Sequence, residues 1–136
     1  MNPQNSTDEY LLLIRGTHWN HGLSASELQQ TMIDFYAWVD GLAKRGVHRG
    51  AQPLMEEGKL VTGTKGSSVT DGVFAESKEA IAGYFLLAVS SIDEAVELAQ
   101  ACPILAYGAQ IEVRPVADLC RPMAEVKAMT HEPACS

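Results

Sequence analysis

The chain has 136 residues, of which 46% are hydrophobic and 20% charged, a composition typical of one globular domain that excludes wholesale disorder. Ten Lys and Arg residues against 17 Asp and Glu residues give a net charge of −7. This charge argues against nucleic acid and against an anionic membrane surface as partners, because both are bound through basic residues. No apolar run approaches the roughly 18 residues of a membrane helix, and residues 1–9 lack the pattern of a signal peptide. Three cysteines without CxxC spacing favour a reducing cytoplasm.

The chain begins with a predicted strand and a predicted helix. Residues 10–15 (YLLLIR) form a short apolar run of strand length. Ser24 and Glu27 have the spacing of a capping box, in which each side chain accepts a hydrogen bond from the other residue's backbone. Apolar residues then recur every three or four positions as far as Leu42, which predicts a helix with one apolar face. Gly46 is expected to end it.

The middle of the chain predicts further strands. Residues 47–54 predict an edge strand that stops near a proline. Residues 59–62 and 67–70 predict the two arms of a hairpin with a glycine-containing turn. Residues 83–89 (GYFLLAV) form a second, almost continuous apolar strand, in which Leu86 is expected to occupy a packed core.

The last third predicts one more helix and one more strand. Ser91 lies near the start of an amphipathic segment that ends before Pro103. Residues 109–116 alternate between apolar and polar, which predicts a half-exposed strand. The C-terminal tail, residues 118–136, either contains one short helix at residues 122–129 or has no regular structure.

This order of elements predicts an α+β fold of the split βαβ, ferredoxin-like type with an extra β-hairpin. The two most apolar strands, the first and the third of the main sheet, would be central, so the strand order would be 4-1-3-2. Both helices would cover one sheet face and leave the other face open and half apolar. A homodimer in which two sheets pack face to face would cover it.

Residues 71–79 (DGVFAESKE) form the densest polar stretch of the chain. One interpretation is a solvated loop anchored by Phe74. The other is a loop folded over the open sheet face, where Asp71, Glu76 or Glu79 serves as a general base. Four charges beside a buried strand are costly to desolvate unless they are paired or used, so we expect one carboxyl group with a raised pKa.

The same stretch resembles the DGPFAETKE signature of the YCII-related superfamily, in its DGPF branch. Other segments resemble further family motifs, in order and at plausible spacing, over a domain of residues 9–117. The family's motifs are YMLLI, matched by residues 10–14; GGYYLL, matched by residues 82–87; DxDEA…CP, matched by residues 93–95 and 102–103; and VEVRPV, matched by residues 111–116. Val73 and Ser77 depart from the signature, which has Pro and Thr there. Losing the proline leaves the loop less rigid.

The resemblance implies a ferredoxin-like fold, usually dimeric as an α+β barrel, with a candidate active-site cleft. Relatives in the superfamily include a dehydrochlorinase, and some use a His–Asp pair. DGPF-type domains also occur beside extracytoplasmic-function sigma factors. The family therefore implies a fold more securely than a reaction.

Histidines supply a second group of candidates. His18 and His21 are three residues apart and His48 lies elsewhere, but without an accompanying CxxC or HExxH motif a metal site is not favoured, and no cofactor is indicated. A pair between Asp71 and either His18 or His48 would tune an imidazole as a base.

Binding residues are expected on the open sheet face near the polar loop. Arg15 would bind a carboxylate or another anion through its forked guanidinium group. The other candidates for binding substrate are Lys78, Tyr84, Glu112 and Arg114. The free thiol of Cys102 is set aside as a nucleophile, since no histidine is adjacent in sequence.

These residues are consistent with a stable dimeric domain whose cleft is vestigial and with two active functions. One is a protein that binds a small molecule, or an enzyme that acts on it, using a carboxylate-rich cleft for acid/base chemistry. The sequence does not decide between the binding protein and the enzyme. The alternative is a regulatory interaction module working with a sigma factor, which the net charge of −7 would suit if the partner surface is basic.

Overall fold

The structure, a computed structural model, describes residues 8–72 and 80–130. In chain order its elements are β1 (Asp8–Arg15), α1 (Ala25–Lys44), β2 (His48–Pro53), β3 (Lys59–Thr62), β4 (Ser68–Asp71), β5 (Ile81–Val89), α2 (Ile92–Gln100), β6 (Gln110–Pro115) and α3 (Arg121–Thr130). A 3-10 turn, Thr64–Gly66, joins β3 to β4, and a 3-10 helix, Pro103–Tyr107, lies between α2 and β6.

Four of the strands form one antiparallel sheet in the order β2-β5-β1-β6. This is the order predicted from the sequence, with the two most apolar strands, β1 and β5, in the centre. β2 and β6 are the edges. The chain therefore has a mixed α+β fold in which the predicted hairpin, β3 and β4, forms a separate two-stranded sheet.

Helix α1 begins at the predicted capping box. The Ser24 Oγ accepts a hydrogen bond of 3.1 Å from the Glu27 backbone N–H, and the Glu27 Oε1 accepts one of 2.8 Å from the Ser24 N–H. These bonds satisfy two N–H groups that the first turn would leave without partners. The helix is followed by Gly46 at a φ of +78°.

Helices α1 and α2 cover the same face of the sheet. The rings of Phe35 and Trp38 on α1 lie 6.0 and 5.2 Å from the ring of Phe85 on β5. The Trp38 Nε1 donates a hydrogen bond of 3.0 Å to the Leu98 carbonyl oxygen on α2. The covered face contains the largest fully buried side chains, which are Leu12, Leu42, Leu87 and Val89.

The opposite face of the sheet, which we call the open face, is covered by neither α1 nor α2. Leu11 and Leu13 on β1 pair with Leu86 and Tyr84 on β5, and all four are only partly buried. The expectation that Leu86 occupies a packed core is thus wrong for the chain by itself, because strand alternation assigns Leu86 to the open face and its neighbour Leu87 to the core.

The predicted hairpin forms, but its second strand, Ser68–Asp71, begins one residue later than expected, so that Val61 lies opposite Val69 and Lys59 opposite Asp71. All of its residues are exposed. Leu60, Val61 and Val69 keep 53%, 60% and 60% of their surface accessible, an unusual amount for apolar strand residues. A two-stranded hairpin alone is marginally stable in water, so this one is expected to gain stability from a further contact.

Candidate functional site

A cavity of about 370 Å³ lies between α1 and the side of the sheet formed by β2 and β5. Its volume falls within the range of about 300–1,000 Å³ that is usual for ligand pockets. Among the described residues that line it there is no Asp, Glu, Lys, Arg or His; they are Ile14, Trp19, Met32, Phe35, Tyr36, Val39, Ala51, Gln52, Pro53, Ala82, Gly83, Tyr84, Phe85 and Ile104.

The cavity has a buried floor and an exposed mouth. Ile14, Phe85 and Ile104 at the floor keep at most 7% of their surface accessible. Tyr36 on α1 is 64% exposed although it lines the cavity, and Pro53 at the end of β2 is also exposed. The cavity therefore opens to solvent beside Tyr36, a residue whose side chain carries a hydroxyl group that can donate or accept a hydrogen bond.

Small residues on the strands leave the space that the cavity occupies. Ala51 on β2 lies opposite Phe85 in the strand register, so its methyl group faces α1. Gly83 has a different role: a Cβ atom there would come within 2.8 Å of the Gln52 carbonyl oxygen. The glycine thus lets the edge strand β2 approach β5 closely and form the cavity's side wall.

Three of the predicted binding residues meet on the open face, away from this cavity. The Arg15 Nε donates a hydrogen bond of 3.0 Å to the Glu112 Oε1, and its Nη2 donates to the same oxygen. The Arg114 Nη1 lies 3.6 Å from the other Glu112 oxygen. The hydrogen bond from Arg15 lowers the pKa of Glu112, so this carboxyl group is held as an anion rather than poised as a base.

Asp71 lies elsewhere. It is at the end of β4, its side chain is 85% exposed, and its Oδ1 accepts a hydrogen bond of 2.8 Å from the Lys59 Nζ. The structure thus brings Arg15, Glu112 and Arg114 together and gives Asp71 a different partner. Glu76, Lys78 and Glu79 lie outside the described residues.

The predicted His–Asp pair is replaced by other contacts. The His18 Nε2 lies 3.5 Å from the Glu56 Oε2, and the His18 ring stacks on the ring of His21 at 4.2 Å between centroids. The ring of His48 lies edge-on to Phe85 at 5.9 Å. Within residues 8–72 and 80–130, no three His, Cys, Asp or Glu side chains form a group that could hold a metal ion.

Two more of the candidate residues are placed clearly by the structure. Tyr84 lies along the strand that borders the cavity, but it pairs with Leu13, so strand alternation directs its side chain to the open face. Cys102 is buried with 3% of its surface accessible, and this burial raises the pKa of its thiol to about 11. The thiol therefore stays protonated and unreactive at neutral pH.

Of the residues that line the cavity, only Tyr84 was predicted from the sequence to bind a ligand. The periodicity of α1 predicts one apolar face packed against the sheet, and it does not by itself distinguish a filled core from a cavity. The available signal was the contrast in size between aromatic residues on α1 and the short side chains of Ala51 and Ala82 on the strands they face. That contrast becomes informative only when the strand register is known.

The model of the YCII-related domain family matches residues 9–119, most of the chain. The chain therefore belongs to the YCII-related domain family. No significant match is found among curated proteins. In the part of the chain that the structure describes, no helix combines the length and apolar character needed to cross a membrane.

Proposed function

We propose that this YCII-related protein binds an uncharged, largely apolar small molecule in the cavity beneath α1. One observation carries the proposal: a cavity of about 370 Å³ that opens beside Tyr36 and has no charged side chain among its described lining residues. Family membership supports a domain of this type and leaves the ligand open.

The lining favours an uncharged ligand for physical reasons. A charged group moved from water into apolar surroundings loses hydration that only a paired, hydrogen-bonded partner restores. Apolar surface gains about 25 cal/mol for each Å² removed from water. A ligand with an apolar body at the floor and one polar group near the Tyr36 hydroxyl would satisfy both conditions.

Acid/base catalysis has less support than binding. Glu112 is ion-paired to Arg15 on the other side of the sheet, and its pKa is lowered rather than raised. Catalysis by one of the other candidate residues stays a prediction; these are Asp71, Glu76, Glu79, His18 and His48. Membership of the DGPF branch also stays a prediction, because its signature falls largely in residues 73–79, outside the described residues.

A fluorescence titration tests the binding proposal. The probe is N-phenyl-1-naphthylamine, an uncharged aromatic dye that emits strongly in apolar surroundings. Ala51→Leu adds volume inside the cavity and should weaken binding about tenfold or more, because the added atoms overlap the dye. Ala37→Leu, the same change at an exposed position of α1, is the matched control and should leave the affinity unchanged.

The charge preference is tested with 8-anilinonaphthalene-1-sulfonate, which resembles the first dye but carries a sulfonate. It should bind the cavity at least about tenfold more weakly, because no described lining residue pairs with the anion. Equal affinity for both dyes contradicts the uncharged ligand. Dye binding that is unaffected by Ala51→Leu contradicts the cavity as the site.

We also propose that the protein is a homodimer of the α+β barrel type, whose open faces pack together. The partly buried Leu11, Leu13 and Leu86 and the exposed apolar side chains of the hairpin support this, since both surfaces lose unfavourable contact with water on association. Sedimentation at micromolar concentration measures it. A monomer whose stability is independent of concentration contradicts it.

The regulatory alternative is a proposal with a narrower basis. The net charge of −7 suits a basic partner surface such as one on a sigma factor. Binding of that kind should weaken with salt because it depends on opposite charges. A ligand that copurifies with the protein and is lost in the Ala51→Leu variant would favour the small-molecule function instead.

A further inference from the structure

We infer that the loop of residues 16–23 is a displaceable wall of the cavity, which the stack of Trp19 on Tyr107 and the contact between His18 and Glu56 hold in position. The inference rests on the proposed ligand binding. Beyond that proposal, it identifies residues outside the cavity that influence the affinity for the ligand.

The loop is fixed at both ends and bonded within itself. At its start the Gly16 N–H donates a hydrogen bond of 2.9 Å to the Ala80 carbonyl oxygen, and the loop ends at Ser24, the cap of α1. The His21 N–H donates to the His18 carbonyl oxygen at 3.2 Å, forming a local turn. Because its ends are held and its middle is bonded to itself, the loop is expected to move as one body about its two ends.

Trp19 is the loop's contribution to the cavity. It lines the cavity and packs against the core cluster while remaining partly exposed. Its ring lies 6.3 Å from that of Tyr107, with 25° between the two planes. Tyr107 belongs to the 3-10 helix that also carries Ile104 of the cavity floor, so the stack ties the loop to a rigid part of the site.

On its other side the loop is held by His18. The His18 Nε2 lies 3.5 Å from the Glu56 Oε2, with 30% of the His18 side chain and 60% of the Glu56 side chain exposed. Thr17 and Glu56 also line a common concavity of about 310 Å³. The loop thus faces the segment between β2 and β3, and His18 joins the two.

Both holding contacts are weak enough to open. An exposed contact between an imidazole and a carboxylate at 3.5 Å contributes little to stability, and a partly exposed aromatic stack contributes only somewhat more. A wall held by such contacts can be displaced as a ligand enters and can close over it afterwards. Tyr107, His18 and Glu56 are therefore positioning residues, whereas Trp19 touches the ligand.

Titration with N-phenyl-1-naphthylamine tests the contact between His18 and Glu56. Glu56→Gln and His18→Asn should each weaken binding about two- to fivefold. The double variant at His18 and Glu56 should have the same dye affinity as the single variant with the lower affinity, because both changes remove the same contact. Glu57→Gln removes the same charge from the neighbouring residue and should leave the affinity unchanged. Melting temperatures should stay close to that of the wild type.

A second pair of variants tests the aromatic contact. Tyr107→Ala should weaken dye binding about three- to tenfold, whereas Tyr107→Phe, which keeps the ring, should bind as the wild type does. Without dye, acrylamide should quench the tryptophan emission more strongly in Tyr107→Ala and in Glu56→Gln. Trp19→Phe identifies the share of the emission that belongs to Trp19.

The outcomes separate this inference from the proposed function. If Ala51→Leu abolishes dye binding but the variants at His18, Glu56 and Tyr107 bind and quench like the wild type, the cavity binds ligand and the loop inference is wrong. If the dye does not bind the wild type, or binds Ala51→Leu equally well, the proposed function fails and the inference fails with it.

Discussion

On one face of the four-stranded sheet Leu12 and Leu87 are completely buried beneath α1 and α2, whereas on the other face Leu11 and Leu86, their neighbours in sequence, remain partly accessible. The middle parts of the two central strands, β1 and β5, are apolar on both sides. Strands of this kind are typical of sheets that are covered on both faces, while a sheet with one solvated face alternates apolar and polar residues. In these central strands the difference in burial between the two faces therefore comes from what covers them rather than from the apolar residues they present.

The largest expected effect separates these two faces at adjacent residues. Leu87→Ala should lower the free energy of unfolding by about 2–5 kcal/mol, because it leaves a cavity in the packed core. Leu86→Ala, the same change one residue away, should cost less than Leu87→Ala in a dilute sample. Denaturant unfolding followed by fluorescence measures both.

Protein concentration sharpens this comparison. If a second chain covers the open face, the cost of Leu86→Ala should grow as the concentration rises through the dimerisation range, whereas the cost of Leu87→Ala should stay constant. A cost of Leu86→Ala that is small and equal at all concentrations would show that the open face stays in water.

A smaller effect on stability is expected at the N-terminus of α1, one of the two helices that cover the buried face. Ser24→Ala removes the hydrogen-bond acceptor for the Glu27 N–H at the start of α1 and should destabilise the protein by about 1 kcal/mol. Ser26→Ala, two residues into the same turn, should change stability by less than about 0.5 kcal/mol. Equal losses would indicate that the cap does not contribute. Thermal unfolding of the two variants side by side decides.

The smallest effect is expected from the ion pair on the open face. The hydrogen bond from Arg15 lowers the folded-state pKa of Glu112 below its ordinary value of 4.5. The stabilisation is therefore fully present above the unfolded-state pKa and is lost as the pH falls through the lower folded-state value. Glu112→Gln should show less acid destabilisation than the wild type, and Glu97→Gln on α2 should not. An unchanged acid limb in Glu112→Gln would contradict the pair's contribution.

The sheet and the start of α1 were predictable because their signals are local. Ser24 and Glu27 identify the cap within four residues, and the apolar runs of β1 and β5 rank those strands as central. The existence of the hairpin likewise follows from two strand-like runs on either side of a glycine-containing turn, although its second strand begins one residue later than expected. In each case the residues that interact are close in sequence or belong to one periodic element.

The site was less predictable because its contacts join distant parts of the chain. Arg15 and Glu112 were both expected on the open face, and strand pairing does bring them together. The acidic partner of His18, however, is Glu56, and the basic partner of Asp71 is Lys59, which only the hairpin register reveals. The cavity depends on side-chain volumes from α1, the sheet and two connecting segments, so no local sequence pattern predicts it.

The burial of Cys102 has a practical consequence for measuring how the core opens. In the closed fold an alkylating reagent meets neither an accessible sulfur nor a thiolate, so Cys102 is modified only when the surrounding core separates. Cys120 is exposed and reacts without that event. The ratio of the two modification rates, followed by peptide mass spectrometry, therefore gives the equilibrium for opening the core under native conditions, without denaturant.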